Sequence, residues 1–133
     1  MLELPADLAA RLAAWSRAAG PEEACGVLVG AGTRVERVLC GRNVAPHRRT
    51  GFELDPADHL AACRDAREAG LDVLAYWHSH PHGPAVPSAA DRAGAWPGQV
   101  QVIVGLGDDS EGGVETRAWR LDSGRFVELA LRS

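Results

Sequence analysis

A chain of 133 residues suffices for one domain with a real core, and 46% hydrophobic against 24% charged residues describes a soluble globular protein. A net charge of −4 with no basic run excludes a nucleic-acid partner held by phosphate contacts. No apolar run approaches the ~18 residues of a membrane span, and Met1-Leu2-Glu3-Leu4-Pro5 lacks the basic start of a signal peptide, so no membrane association and a cytoplasmic location are expected. Cys25, Cys40 and Cys63 form neither an even framework nor a C-x-x-C pair, so reduced, buried thiols are expected. All 14 basic residues are arginine, which leaves no lysine side chain as an isopeptide acceptor.

In chain order, Leu4, Leu8, Leu12 and Trp15 mark one helical stripe, and a helix is predicted over 5–19, with Pro5 in its first turn and Gly20-Pro21 as its stop. Residues 25–29 and 33–44 read as a hairpin turned at Gly30-Ala31-Gly32. A polar loop, 46–51, leads to a brief extended piece at 52–54. Asp55 as N-cap, Pro56 at N1 and Asp58 at N3 start a second helix, 56–69, closed by Gly70. A strand over 71–78, a short helix over 88–95 and an apolar strand over 99–106 follow. An acidic turn at Gly107–Gly113 and two strands, 114–121 and 125–131, complete the order αββαβαβββ. The expected fold is a single α/β (α+β) domain over 1–133, a mixed β-sheet flanked by helices.

The chemistry concentrates in His78-Ser79-His80-Pro81 and in Ser88-x-x-Asp91. On a strand, His78 and His80 point one way and Ser79 the other. Ser88 and Asp91, three apart, share one side of a first helical turn, where they also read as a plain capping box. Two imidazoles and a carboxylate, with no thiolate, give three protein ligands and an open position, the pattern of catalytic rather than structural zinc. His82 reads as a solvated loop residue and Cys25 as core, while His47 and His59 have no partners in sequence.

These residues resemble the JAMM (MPN+) zinc metalloprotease family, whose pattern is Glu…His-Ser/Thr-His-Pro-x6-Ser-x-x-Asp, and its short bacterial members most of all. Glu23-Ala24-Cys25-Gly26 resembles the segment carrying the family's glutamate, and similarity continues through Phe52-Glu53-Leu54-Asp55-Pro56 and Ala118-Trp119-Arg120-Leu121. The resemblance implies an MPN-like domain with one Zn2+ on His78, His80 and Asp91, Glu23 as the base and Ser88 as oxyanion donor. Glu22, adjacent, would face the other way. It further implies hydrolysis of an amide bond after the C-terminal Gly-Gly of a ubiquitin-like or sulfur carrier protein. A site on a strand beside a sheet edge would accept such a tail by strand addition, and Tyr76, on the histidine face, would narrow the groove for glycine. The alternative is a non-catalytic MPN scaffold, whose members typically lack a ligand that is present here. A homodimer would use Trp15 or Trp119 if they are exposed.

Overall fold

The apolar run ahead of the two histidines forms a middle strand of an eight-stranded sheet, with unlike layers on its two faces. The computed structural model describes residues 1–107 and 113–133. The acidic turn expected at Gly107–Gly113 falls mainly on 108–112, outside the described residues. The elements are β1 (Leu2–Glu3), α1 (Ala6–Ala19), β2 (Cys25–Ala31), β3 (Arg34–Gly41), α2 (Pro56–Glu68), β4 (Asp72–His80), α3 (Ala89–Gly94), β5 (Val100–Gly105), β6 (Glu115–Asp122), β7 (Arg125–Leu129) and β8 (Leu131–Arg132). Along the sheet they run β7-β6-β5-β4-β2-β3-β1-β8. β4 is parallel to β5, β1 is parallel to both its neighbours, and the remaining pairs are antiparallel.

The three helices and the internal strands lie where the periodicities put them, with Pro5 and Ser88 as the flanking caps of α1 and α3. Asp55 caps α2 by accepting from Ala57 N. Two strands carry no sequence signal. β1 and β8 are two residues each, too short for an alternating pattern, and they exist because they bond to each other and to β3. The predicted last strand, 125–131, therefore splits: β7 pairs with β6, and after Ala130 the chain pairs with β1 at the opposite end of the strand order. One intervening residue cannot cross a flat sheet, so the sheet curls until its two edges nearly meet.

Alternation along β4, broken once by a register shift at Leu74, assigns the faces. Ala75 and Trp77 point into the larger core with Leu8 and Leu12 of α1, where Trp15 stacks on Trp77 at 6.0 Å. Val73 and Tyr76 point toward α2, whose Ala62 and Ala66 cover Val27 and Val29. His78 and His80 continue the Tyr76 face. Three expectations are corrected here. Trp15 is half-buried on Trp77, and Trp119, also half-buried, donates to Ala85 O at 2.9 Å with Arg117 over its ring, so neither has the exposure on which the dimer expectation was conditioned. Of the cysteines only Cys25 is buried; Cys40 and Cys63 are exposed. Cys63 sits beside Ala62 on α2, and a 3.6-residue period that buries Ala62 and Ala66 turns it outward. Finally, β4 lies between β5 and β2 with both hydrogen-bonding sides taken, so it is nowhere near a sheet edge.

Close packing of β2 against β3 depends on Gly26. A Cβ there would overlap the Leu39 carbonyl and the Trp77 indole nitrogen that donates to it. Gly26→Ala is expected to cost about 3 kcal/mol through overpacking against backbone. It would be read as a lower urea midpoint at unchanged slope. Gly94→Ala, where a Cβ meets nothing within 4 Å, should cost nothing.

Candidate metal centre

Three separate segments deliver the site. His78 and His80 come from the end of β4, which extends two residues further than the sequence pattern predicts. Ser79, on the opposite face, accepts from Ala24 N at 2.8 Å, and its own N–H donates to Ala24 O at 3.0 Å. That clamp lies one residue past Glu23. Glu23 precedes β2 rather than belonging to it, and it is buried at 6% exposure, whereas Glu22 turns outward to pair with Arg48 at 3.1 Å. Asp91 arrives on the first turn of α3. Both halves of the capping box form: Ser88 N donates to Asp91 Oδ2 at 2.9 Å, and Asp91 N donates to Ser88 Oγ at 3.1 Å. The cap reading and the ligand reading of Ser88-x-x-Asp91 are thus compatible. Ser88 is exposed at the rim, and among the described residues its hydroxyl accepts from Asp91 N and donates to no protein group.

One donor atom each from Glu23, His78, His80 and Asp91 lies within 4.8 Å of the others. His80 Nδ1 faces Pro84 O at 2.8 Å, and a carbonyl only accepts, so Nδ1 carries the hydrogen. A neutral ring then presents a bare Nε2 to Asp91 Oδ2 at 3.0 Å. His78 repeats the arrangement, with Nδ1 against Gln101 Oε1 at 3.1 Å and Nε2 at 3.1 Å from the same oxygen. The two Nε2 atoms are 3.3 Å apart. Acceptors aimed at acceptors repel unless a positive charge sits among them. Their separations match the ~3.3 Å edge of a tetrahedron with bonds of ~2.0–2.1 Å, and two imidazoles plus one carboxylate without thiolate suit zinc.

The same demand appears in the titrations. Burial opposes charge on Asp91, but the adjoining His78 and His80 and the Ser88 backbone N–H outweigh it and hold the carboxyl far below the ordinary range. Burial likewise works against charging His80, yet Asp91, Pro84 O and Glu23 together raise it. Glu23 goes the other way. Burial, reinforced by Asp91 and only partly offset by His80, pushes it up to about 7, and its Oε1 has no hydrogen-bond partner among the described residues.

Beside the cluster opens a cavity of about 640 Å³, walled by Phe52, Leu54, His59, Tyr76 and Trp96 and sharing Asp91 and Gln101 with the cluster. Tyr76 faces it, bonded through its hydroxyl to His59 Nε2 at 2.8 Å and edge-on to Trp96. Three contributors escape a reading of the sequence. Phe52 stacks on His78 at 4.3 Å, Gln101 meets His78 Nδ1, and His59 orients Tyr76. Gln101 has a faint signal, a polar residue inside an apolar strand, but its meeting with His78 requires the β4–β5 pairing. Gly105 matters as well, because a Cβ there would press on Pro84 and Ala85, the backbone against which His80 rests. His82 is exposed and lies away from this cavity; Cys25 is buried, and its thiol is pushed up to about 12, chiefly by burial.

Residues 5–122 match the family model for prokaryotic homologs of the JAB domain. The chain belongs to this family. A desampylase from Haloferax volcanii is 35% identical over 84% of this chain and 79% of its own length. A probable TtuB-protein conjugate cleaving protease from Thermus thermophilus is 36% identical over 84% of this chain and 70% of its own. The solution structure of a Desulfitobacterium hafniense protein superposes with a TM-score of 0.87 at 30% identity, covering 98% of this JAB-domain chain and 91% of the other. Among the described residues, no helix is long and apolar enough to cross a membrane.

A pH dependence follows for the metal-free protein. Glu23 binds its proton more tightly folded, at about 7, than at its ordinary 4.5. Its contribution is therefore present below pH 4.5 and lost as pH rises through 7, about 3 kcal/mol in all. His80, also raised, has the same sign. Asp91 has the opposite sign, but its loss lies at acid pH, far below this window. Chelator-treated protein should thus show a falling urea midpoint from pH 5 to pH 8, with Glu23→Gln removing most of the slope. A flat or rising wild-type profile would contradict the buried carboxyl.

Proposed function

We propose that this chain is a zinc-dependent hydrolase that cuts the amide bond following the C-terminal Gly-Gly of a ubiquitin-like or sulfur carrier protein. The observation that carries the reading is a buried, partnerless carboxyl oxygen on Glu23 beside three converging acceptors on His78, His80 and Asp91. In this reading His78, His80 and Asp91 hold one zinc ion. When bound, it supplies Lewis-acid chemistry, polarising an amide carbonyl and making water acidic near neutral pH.

The remaining steps belong to the chain. Glu23 takes the proton from the attacking water and returns it to the departing amine nitrogen, so the base is regenerated. In the metal-free chain, burial already raises the Glu23 carboxyl above the ordinary carboxylate range, the direction a proton shuttle needs. Ser88 Oγ, which accepts from Asp91 N, keeps its hydrogen free to donate to the carbonyl oxygen as charge develops there. The aromatic wall of Phe52, Tyr76 and Trp96 receives the carrier's tail and fits glycines, which add no side chain, more readily than branched residues. Because β4 is a central strand, the tail does not extend the sheet at the metal strand. It lies along the loop between Asn43 and Leu54, which closes one side of the cavity. The two curated relatives, one a desampylase and one a probable conjugate-cleaving protease, support a protein conjugate as substrate. Three free thiols suit a reducing cytoplasm. Nothing in the site favours the scaffold alternative, since every residue of the motif is in place.

The decisive assay offers a carrier extended beyond Gly-Gly and a variant ending Ala-Val with the same extension, with products read by mass spectrometry. Cleavage after Gly-Gly only, abolished by chelator, is expected; equal cutting of both would make the chain a general peptidase. Elemental analysis should find one zinc per chain, lost in His78→Ala. Glu23→Gln should retain zinc and lose about 10²–10⁴ in rate, while Glu22→Gln changes little. Ser88→Ala should also retain zinc, lose about 10²-fold in rate and weaken the protein by about 1 kcal/mol through the lost cap.

A further inference from the structure

Among the described residues, no hydrogen bond to Glu23 Oε1 holds the side chain, although that oxygen is buried. Strand pairing does not reach it either, since β2 begins at Cys25. Its position is set through its main chain, and the loop between β3 and α2 grips that on both sides. Glu23 N donates to Arg48 O at 2.8 Å, and Glu23 O accepts from Asn43 Nδ2 at 3.0 Å. Asn43 uses its whole capacity here. Nδ2 also donates to Gly51 O at 3.0 Å, and Oδ1 accepts from Ala45 N at 3.0 Å and Glu53 N at 3.1 Å. Ala45, Gly51 and Glu53 line the cavity, and Phe52 of the same loop stacks on His78. One planar amide therefore ties the main chain of Glu23 to the wall of the cavity.

We infer that Asn43 is a positioning residue for the hydrolysis: it fixes Glu23 relative to the loop against which the substrate tail lies. The inference rests on the reading above in taking Glu23 as the base. Asparagine is the residue type the geometry requires, because two donors and two acceptors in one plane serve four backbone groups at once. Aspartate keeps the shape and the acceptors but removes both donors, leaving Glu23 O and Gly51 O facing a carboxylate. A base displaced by about 1 Å costs on the order of 10²-fold in rate even when the chemistry is untouched.

The test compares Asn43→Asp and Asn43→Ala with Asp55→Ala. The last sits at the neck of the same loop and loses the cap of α2 and the Arg42 ion pair, without touching Glu23. Zinc affinity, kcat and KM on the extended carrier, and amide hydrogen exchange at Glu23 are measured for each. Both Asn43 variants should hold zinc within about threefold of wild type and lose about 10–100-fold in kcat. Exchange at the Glu23 amide should speed up by at least about tenfold. Asp55→Ala should lose comparable stability while keeping kcat within about twofold. Should the new charge prevent Asn43→Asp from folding, Asn43→Ser replaces it with the same expected result. Unchanged kcat in the Asn43 variants, or an equal fall in Asp55→Ala, would reduce Asn43 to a loop brace. If wild type leaves the carrier uncut, the hydrolase reading fails instead, and exchange decides this inference alone: an unaltered Glu23 amide in Asn43→Ala overturns it.

Discussion

Three acceptor atoms aimed at one another are tolerable only around a positive charge, and much of this chain is spent keeping them aimed. Each imidazole is locked from behind, His80 by the Pro84 carbonyl and His78 by Gln101, so neither ring can turn its hydrogen inward to relieve the repulsion. Phe52 blocks the face of His78, and Gly105 lets the Pro84 backbone approach closely enough to hold His80. Asp91 is fastened by the cap of its own helix. The local conflict is held in place by groups that have nothing to gain from it themselves, which is the signature of a site rather than of a core.

Glu23 depends on the same enclosure for a different reason. The burial that sharpens the acceptor cluster makes a second negative charge costly, so the carboxyl beside Asp91 is held near neutrality rather than fully ionised. Two acidic groups a few ångströms apart thus acquire opposite tendencies. One lies against both histidines and the Ser88 N–H and stays ionised; the other has a buried oxygen with no partner among the described residues and holds its proton more tightly.

What the sequence discloses and what it conceals divide along contact range. His78 with His80, Ser88 with Asp91, and the Asp55 cap are all set by spacings under five residues, and each is legible from strand or helix periodicity alone. Glu23 was placed by resemblance, with alternation only choosing it over Glu22. Gln101, Phe52 and Asn43 act across 20 residues or more of chain, through a parallel strand pair and an irregular loop that no period describes. The order of strands is concealed for the same reason. An apolar run reads alike at the centre or the edge of a sheet, so the placement of β4 was misjudged while its facing was not. The exposure of Cys63 was concealed, because Leu60, Ala61, Ala62, Cys63 and Ala66 leave the buried side of α2 open until Ala62 and Ala66 are seen against Val27 and Val29.

The pairing of β1 with β8 has a consequence for the order in which the molecule folds. Leu2 and Leu4 belong to the main core, yet their main-chain partners are Ala130 and Arg132, each 128 residues further along the chain. The β2–β3 hairpin can close locally and take α2 early, but the first strand stays without its outer partner until contacts of the greatest sequence separation form. Substitutions in β8 therefore act on the seating of β1 and of the core residues that flank it.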